Sequence, residues 1–190
     1  MRVAVSIAVV LALVGALAAC DKPDKGPKSM AQAKAEASQL ERPDPGQYKQ
    51  TTRITKFEVP GAPSKMVAQI RKMMEGQGGN LEYCLSKAET EKGFEEMFRK
   101  GAQGDCTYDR FDASANTIDA IMTCKAGEGG SARMTMNGTV SSTGSKDKVN
   151  VEQKNDKSPM GNANLAMELE TKRIGDCPAG EDKGPAPKPG

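Results

Sequence analysis

Residues 105–140 read DCTYDRFDASANTIDAIMTCKAGEGGSARMTMNGTV, and their period of two decides the fold. Cys106, Tyr108 and Arg110 share one parity, and Ile118, Ala120, Met122 and Cys124 share one parity across the turn signal Ala113-Ser114-Ala115-Asn116. That pattern is a hairpin. Gly127 to Gly130 makes the next turn, after which Ala132, Met134, Met136 and Val140 alternate with Arg133, Thr135, Asn137 and Thr139. Side chains on a strand alternate between faces, so this stretch predicts an antiparallel sheet with one buried and one wet face.

Working outward toward the C-terminus, Ser141 to Asp147 reads as a turn, Lys148 to Lys154 as a polar, marginal strand and Asn155 to Asn164 as a loop. Leu165, Met167 and Leu169 mark a last strand to Ile174, and Gly175-Asp176-Cys177 closes the domain. Upstream, Gln47 to Val59 is rich in Thr, Tyr, Ile, Phe and Val and predicts a strand, stopped by Pro60-Gly61-Ala62-Pro63. Met66, Val67, Ile70, Met73 and Met74 fall on one helical face, with Ser64 as cap and Gly76 as terminator. Leu81 to Leu85 is a short strand carrying Cys84. The capping box Ser86-Lys87-Ala88-Glu89 then predicts a helix with Phe94, Met97 and Phe98 inward, ending near Gly101. Glu95 with Arg99 and Glu96 with Lys100 are four-apart pairs on its solvated face. The sum is an α+β fold: an antiparallel meander of about seven strands, two short helices packed on one face, and two disulfides.

The chain begins with Arg2, then an apolar run from Val3 to Leu17, then small residues, which is the layout of a secretory signal over 1–19. The run is too short to span a bilayer, which needs about 20 apolar residues. Leu17-Ala18-Ala19-Cys20 resembles the bacterial lipobox, which makes Cys20 the expected lipidation site and places the protein on the periplasmic face of a membrane. Asp21 slightly favours the inner membrane. Several acyl chains on one terminus hold a protein there essentially permanently, at about 0.8 kcal/mol per buried methylene. Residues 20–44 then read as a lipid-anchored flexible tether. Its Ala-rich piece Met30 to Leu40 reads as at most a transient helix, with too little apolar surface to fold alone, and the whole spans about 25 to 30 Å if flexible. Residues 45–177 form the disulfide-bonded domain, and 178–190, rich in Pro, Gly and Lys, a disordered tail.

Removing the signal leaves 26 basic residues against 25 acidic ones, a near-neutral balance that steers the protein neither to nucleic acid nor to anionic lipid. There is no His and no Trp, but there are eleven Met, so the core is aliphatic and soft. Without histidine the commonest general base and proton shuttle is missing, and no nucleophile-elbow pattern appears. Asp105 and Asp176, each preceding a cysteine, read as turn residues rather than paired acids. Met134, Met136, Met73 and Met74 invite a copper(I) reading, since thioethers suit that ion, but all four sit at core-facing parity. No cofactor and no metal is expected. Cys84, Cys106, Cys124 and Cys177 lack the close spacing of a zinc site or a Cys-x-x-Cys pair, and an even number in an exported chain reads as two disulfides. Three connectivities are possible.

Pro45-Gly46-Gln47-Tyr48, Cys84, Met97-Phe98, Gly104-Asp105-Cys106, the Ile118–Gly138 stretch through Cys124, and Arg173-Ile174-Gly175-Asp176-Cys177 together resemble the family catalogued as domain of unknown function 3617, over roughly residues 45 to 177. Its pattern commonly has Trp where this chain has Tyr48. The resemblance implies an exported protein of a Gram-negative bacterium and transfers no catalytic residue. Among the connectivities, hairpin register favours one: Cys106 opposite Cys124 puts Tyr108 opposite Met122 and Arg110 opposite Ala120, leaving Cys84 for Cys177. The functional expectation is a noncatalytic binding or interaction module of the envelope. Its partners would be the membrane through Cys20 and an apolar ligand or an envelope protein. The alternatives are a purely structural lipoprotein and a hydrolase that works without histidine.

Overall fold

A computed structural model describes residues 26–93, 105–126, 129–155, 157 and 161–180. Its elements run α1 (Met30–Ala37), β1 (Gly46–Glu58), α2 (Ser64–Gly78), β2 (Asn80–Leu85), α3 (Lys87–Lys92), β3 (Cys106–Ala113), β4 (Thr117–Ala126), β5 (Gly130–Ser141), β6 (Gly144–Lys154) and β7 (Ala163–Gly175). The strands form one antiparallel sheet in the order β2-β1-β7-β6-β5-β4-β3. The last five strands make the expected meander, and the first strand closes it by pairing with the last. α1 packs on β3 and α2 on β1.

The β3–β4 register begins as the sequence predicts, with Cys106 opposite Cys124 and Tyr108 opposite Met122, and then departs from it. A bulge between Tyr108 and Arg110 places Arg110 opposite Ile121 and Phe111 opposite Ala120, so Arg110 does not share the face of Cys106 and Tyr108. One extra residue inverts the alternation. Tyr108 and Phe111, three apart, therefore both turn inward, with ring centroids 5.2 Å apart in an edge-to-face contact. They anchor the main core with Ile118, Ala120, Ala33, Ala37 and Leu40.

The last three of these core residues lie in the supposed tether, which from Lys28 to Leu40 is part of the packed structure. Ser29 and Gln32 form a capping box that starts α1, and Met30, Ala33, Ala37 and Leu40 recur at helical spacing on its inward side. Small side chains let the helix axis approach the sheet closely, so a stripe too weak to fold alone is enough when the sheet supplies the other half of the contact. Lys28 extends the attachment: its backbone N–H bonds the Tyr108 carbonyl at 2.8 Å, and its ammonium reaches Glu36, the Phe111 carbonyl (2.6 Å) and Asp112 (3.4 Å). Beyond the helix, Glu41 N–H bonds the Ala115 carbonyl and Asp44 N–H that of Ser142. The segment thus braces one end of the sheet from β3 across to β1.

Four local readings need correction. Residue 64 is not the cap of α2: Pro63 occupies that position, with no side-chain cap bond. The helix runs past Gly76 to Gly78, and Met66 and Met73 of its apolar stripe are exposed (37% and 55%). α2 lies along a single strand near the sheet's edge, so only a narrow line through Val67, Ile70 and Met74 is shielded, and Arg71 enters that line to donate to the Ile54 carbonyl at 3.0 Å. α3 stops at Gly93, whose φ of 56° is the left-handed conformation glycine adopts freely; Phe94, Met97, Phe98 and the rest of the expected helix lie outside the described residues. The β5–β6 turn is only Ser142-Thr143, and β6 begins at Gly144 rather than at Lys148. Far from marginal, β6 is central, bonded along its length to β5 and β7.

Candidate ligand-binding face

Register carries one parity across the whole sheet. Met122 stands opposite Met134, Met134 opposite Val151, Met136 opposite Val149, Val149 opposite Met167, Val151 opposite Leu165, and Leu165 and Met167 opposite Phe57 and Ile54. These side chains form one apolar face. At its two sides α1 and α2 cover it, so that Tyr108, Phe111, Ile118 and Ala120 on one side and Ile54 on the other are buried. Between them, Met134, Val149, Val151, Leu165, Met167 and Leu169 on β5 to β7 are only half-buried. Two of the six are methionines, whose unbranched thioether chains repack readily around different shapes.

One carboxylate interrupts this face. Asp147 stands opposite Gly138 and Leu169, at the same parity as Val149, whereas its neighbours Lys146 and Lys148 point to the exposed face. Gly138 makes room for it: a Cβ there would meet Asp147 Oδ1 at 2.0 Å. The Ser145 hydroxyl donates to Asp147 Oδ2 at 2.8 Å, yet burial prevails and raises the carboxyl pKa above the ordinary 3.8. Reading 141–147 as a turn hid this residue; extending the strand back to Gly144 puts Asp147 in the series Asp147, Val149, Val151.

The opposite face is polar. Over β1, β7, β6 and β5 it holds an open groove of about 580 Å³. Its charges pair across strands, Arg53 with Glu168 and Lys146 with Glu170 at 3.3 Å. Hydrogen bonding from Arg53 is the first cause holding the Glu168 carboxyl below its usual value. It has the character of a solvated ladder.

The cysteines pair as Cys84–Cys177 and Cys106–Cys124, with Cα separations of 5.5 and 3.9 Å. One bond joins the ends of β2 and β7, and the other joins β3 to β4 at the opposite end of the sheet. Cys20 lies outside the described residues. Asp105 sits beside Lys125 (3.6 Å) and Asp176 beside Arg173 (2.5 Å), and the elements they flank are four strand positions apart, so the structure does not bring these two acids together. Among the described residues no cluster of three His, Cys, Asp or Glu side chains is arranged to hold a metal. Of the methionines considered for copper, Met136 packs against the core and Met73 is exposed on α2.

Pro45-Gly46-Gln47-Tyr48 and Arg173 to Cys177 meet at one end of the sheet. Arg173 Nε donates to the Pro45 carbonyl at 2.9 Å. Gly46 has a φ of 151°, and a Cβ on it would lie 2.5 Å from Arg173 Nε and 2.6 Å from the Gly175 carbonyl. Tyr48 is 1% exposed, stacks on Tyr83 at 5.9 Å, and directs its hydroxyl at the Asp44 (2.7 Å) and Ser142 (3.0 Å) carbonyls. This constellation has the geometry of a structural clasp: its polar groups bond one another.

Neither a curated protein nor a solved structure matches the chain. The pattern of one family, described as a protein of unknown function, matches residues 43–177. Those residues hold the seven strands and two disulfides seen among the described residues, together with the clasp, and the chain belongs to the DUF3617 family.

Proposed function

We propose that this protein is a noncatalytic module of the cell envelope, anchored through acylated Cys20 on the periplasmic side of a membrane, and that it holds an apolar ligand on the half-covered face of β5 to β7. One observation carries the binding part: Met134, Val149, Val151, Leu165, Met167 and Leu169 form an apolar strip that, among the described residues, α1 and α2 flank rather than seal. Leaving such a strip half open forgoes about 25 cal/mol for each Å² not removed from water, a penalty that a ligand relieves. The noncatalytic part is supported by a chain without histidine and by the separation of Asp105 from Asp176. The anchor rests on Leu17-Ala18-Ala19-Cys20.

Native mass spectrometry and lipid extraction of the protein purified from its own envelope test this reading. A co-purifying apolar molecule that is lost on Val149→Lys is the expected result. A consistently empty protein favours the purely structural alternative. The anchor is tested separately: Cys20→Ala yields an unprocessed or soluble protein, and a processed variant that stays in the membrane pellet after a high-salt wash overturns the lipoprotein reading.

A further inference from the structure

The apolar face has a polar end. Along β6 the inward side chains run Ser145, Asp147, Val149, Val151, and along β7 they run Thr171, Leu169, Met167, Leu165. A carboxylate with one hydroxyl donor thus lies at the head of an apolar strip. From Asp147 to Val151 is four residues, about 14 Å at the rise of a strand. The strip is three strands wide. No cation from a described residue pairs with Asp147, since Lys146 and Lys148 face the other way. A half-buried anion next to apolar surface is complemented by a ligand that brings its own cation together with an apolar chain.

We propose that this face binds an amphiphile whose primary ammonium head sits on the Asp147 carboxylate and whose alkyl or acyl chain lies along Val149, Val151, Leu165 and Met167. The inference rests on the ligand-binding reading above and specifies its ligand. Location agrees with it. Lys28, which is fixed to β3, follows Cys20 by eight residues, so an acylated terminus keeps the near edge of the sheet within about 28 Å of lipid at full chain extension. A membrane amphiphile is therefore at hand. A peptide lysine would bring the same head group, but its short side chain would leave the strip beyond Val149 uncovered, whereas a long alkyl chain lies along its whole length of about 14 Å.

The test uses the mature full-length protein and three probes titrated by calorimetry: dodecylammonium and dodecyl sulfate below their micellar concentrations and dodecanol below its solubility limit. Dodecylammonium is expected to bind at least tenfold more tightly than dodecanol, with dodecyl sulfate weakest. Asp147→Asn should remove most of the ammonium advantage while leaving dodecanol affinity within twofold. Wild-type circular dichroism and a melting temperature no lower than that of the wild type establish that the variant folds. Equal affinity for ammonium and alcohol, or an Asp147→Asn variant that keeps the preference, overturns the ammonium assignment and leaves the apolar-ligand reading standing. Failure of all three probes to bind, with no effect of Val149→Lys, overturns both.

Discussion

Replacing Lys28 with Met keeps the buried stem and deletes the ammonium that fastens α1 to the sheet. The Lys28 side chain is 2% exposed, and its Nζ is shared by Glu36, Asp112 and the Phe111 carbonyl. Breaking a fully buried ion pair costs about 3–5 kcal/mol. Here Glu36 and Asp112 are 28% and 43% exposed, so water resolvates them once the ammonium is gone, and the loss falls to about 1–3 kcal/mol. For a domain of this size that is a fall in Tm of about 4–10 °C. Because α1 detaches first, trypsin cleavage at Lys34 should accelerate more than global unfolding. The pH dependence has a definite sign. Burial lowers the Lys28 pKa, but hydrogen bonding and attraction from Glu36 and then Asp112 outweigh it, and the value stands above 10.5. Its contribution is thus complete below pH 10.5 and is lost as pH rises through the higher folded-state value. Tyr48, Tyr83 and Tyr108, raised by burial, also weaken the fold in alkali, and the difference between wild type and Lys28→Met isolates the lysine. Equal Tm values within 1 °C at pH 7, together with unchanged cleavage, would refute the latch.

Asp147→Asn should stabilise the unliganded protein at neutral pH by a few tenths to about 1 kcal/mol; because the folded pKa is raised, the gain shrinks as pH falls through it toward 3.8, and denaturant titrations at pH 7 and pH 4 show the difference. Gly46→Ala forces a side chain into the clasp at a φ of 151°, and should lose about 2 kcal/mol or more by the same assay. Opening Cys106–Cys124 by paired Ser substitution frees an 18-residue loop, about 3 kcal/mol by chain entropy, and opening Cys84–Cys177 frees 93 residues, about 4 to 5 kcal/mol. The second variant should melt lower than the first, and the reverse order would show that local packing outweighs loop length.

The parts of the fold that read directly from sequence are those where alternation is uninterrupted. From Thr117 to Ala126 and from Gly130 to Ser141 the alternation is unbroken, and the ten β4–β5 partners run without a shift. The bulge after Tyr108 left no compositional mark, since neither Asp109 nor Arg110 is a glycine, and the register slipped by one beyond it. β6 was obscured by its polar outward side: Lys146, Lys148, Asn150 and Glu152 dominate its composition, whereas its stability comes from two flanking strands. The docking of α1 is illegible for a different reason. Its stripe is mostly alanine, which scores low as apolar surface, although close approach is what an alanine stripe permits. Asp147 followed β6 into obscurity, because a carboxylate is informative only once the strand that carries it is in register.

The position of α1 changes the mechanics of the proposed anchor. With residues 20–44 flexible, a domain at the end of the tether would sit about 25 to 30 Å from the lipid and turn freely. With Lys28 and Tyr108 bonded backbone to backbone, the chain is held to the sheet from Lys28, eight residues after Cys20, and eight residues reach no more than about 28 Å. The attachment also moves from the start of β1, second from one edge of the sheet, to β3 at the other edge. An acylated terminus would therefore pull on the β3 side, where Lys28, Glu36 and Asp112 hold α1 against the core. The same ionic contact that stabilises the fold would then bear the load between a membrane and the sheet, and its loss in Lys28→Met would lower stability and lengthen the tether together.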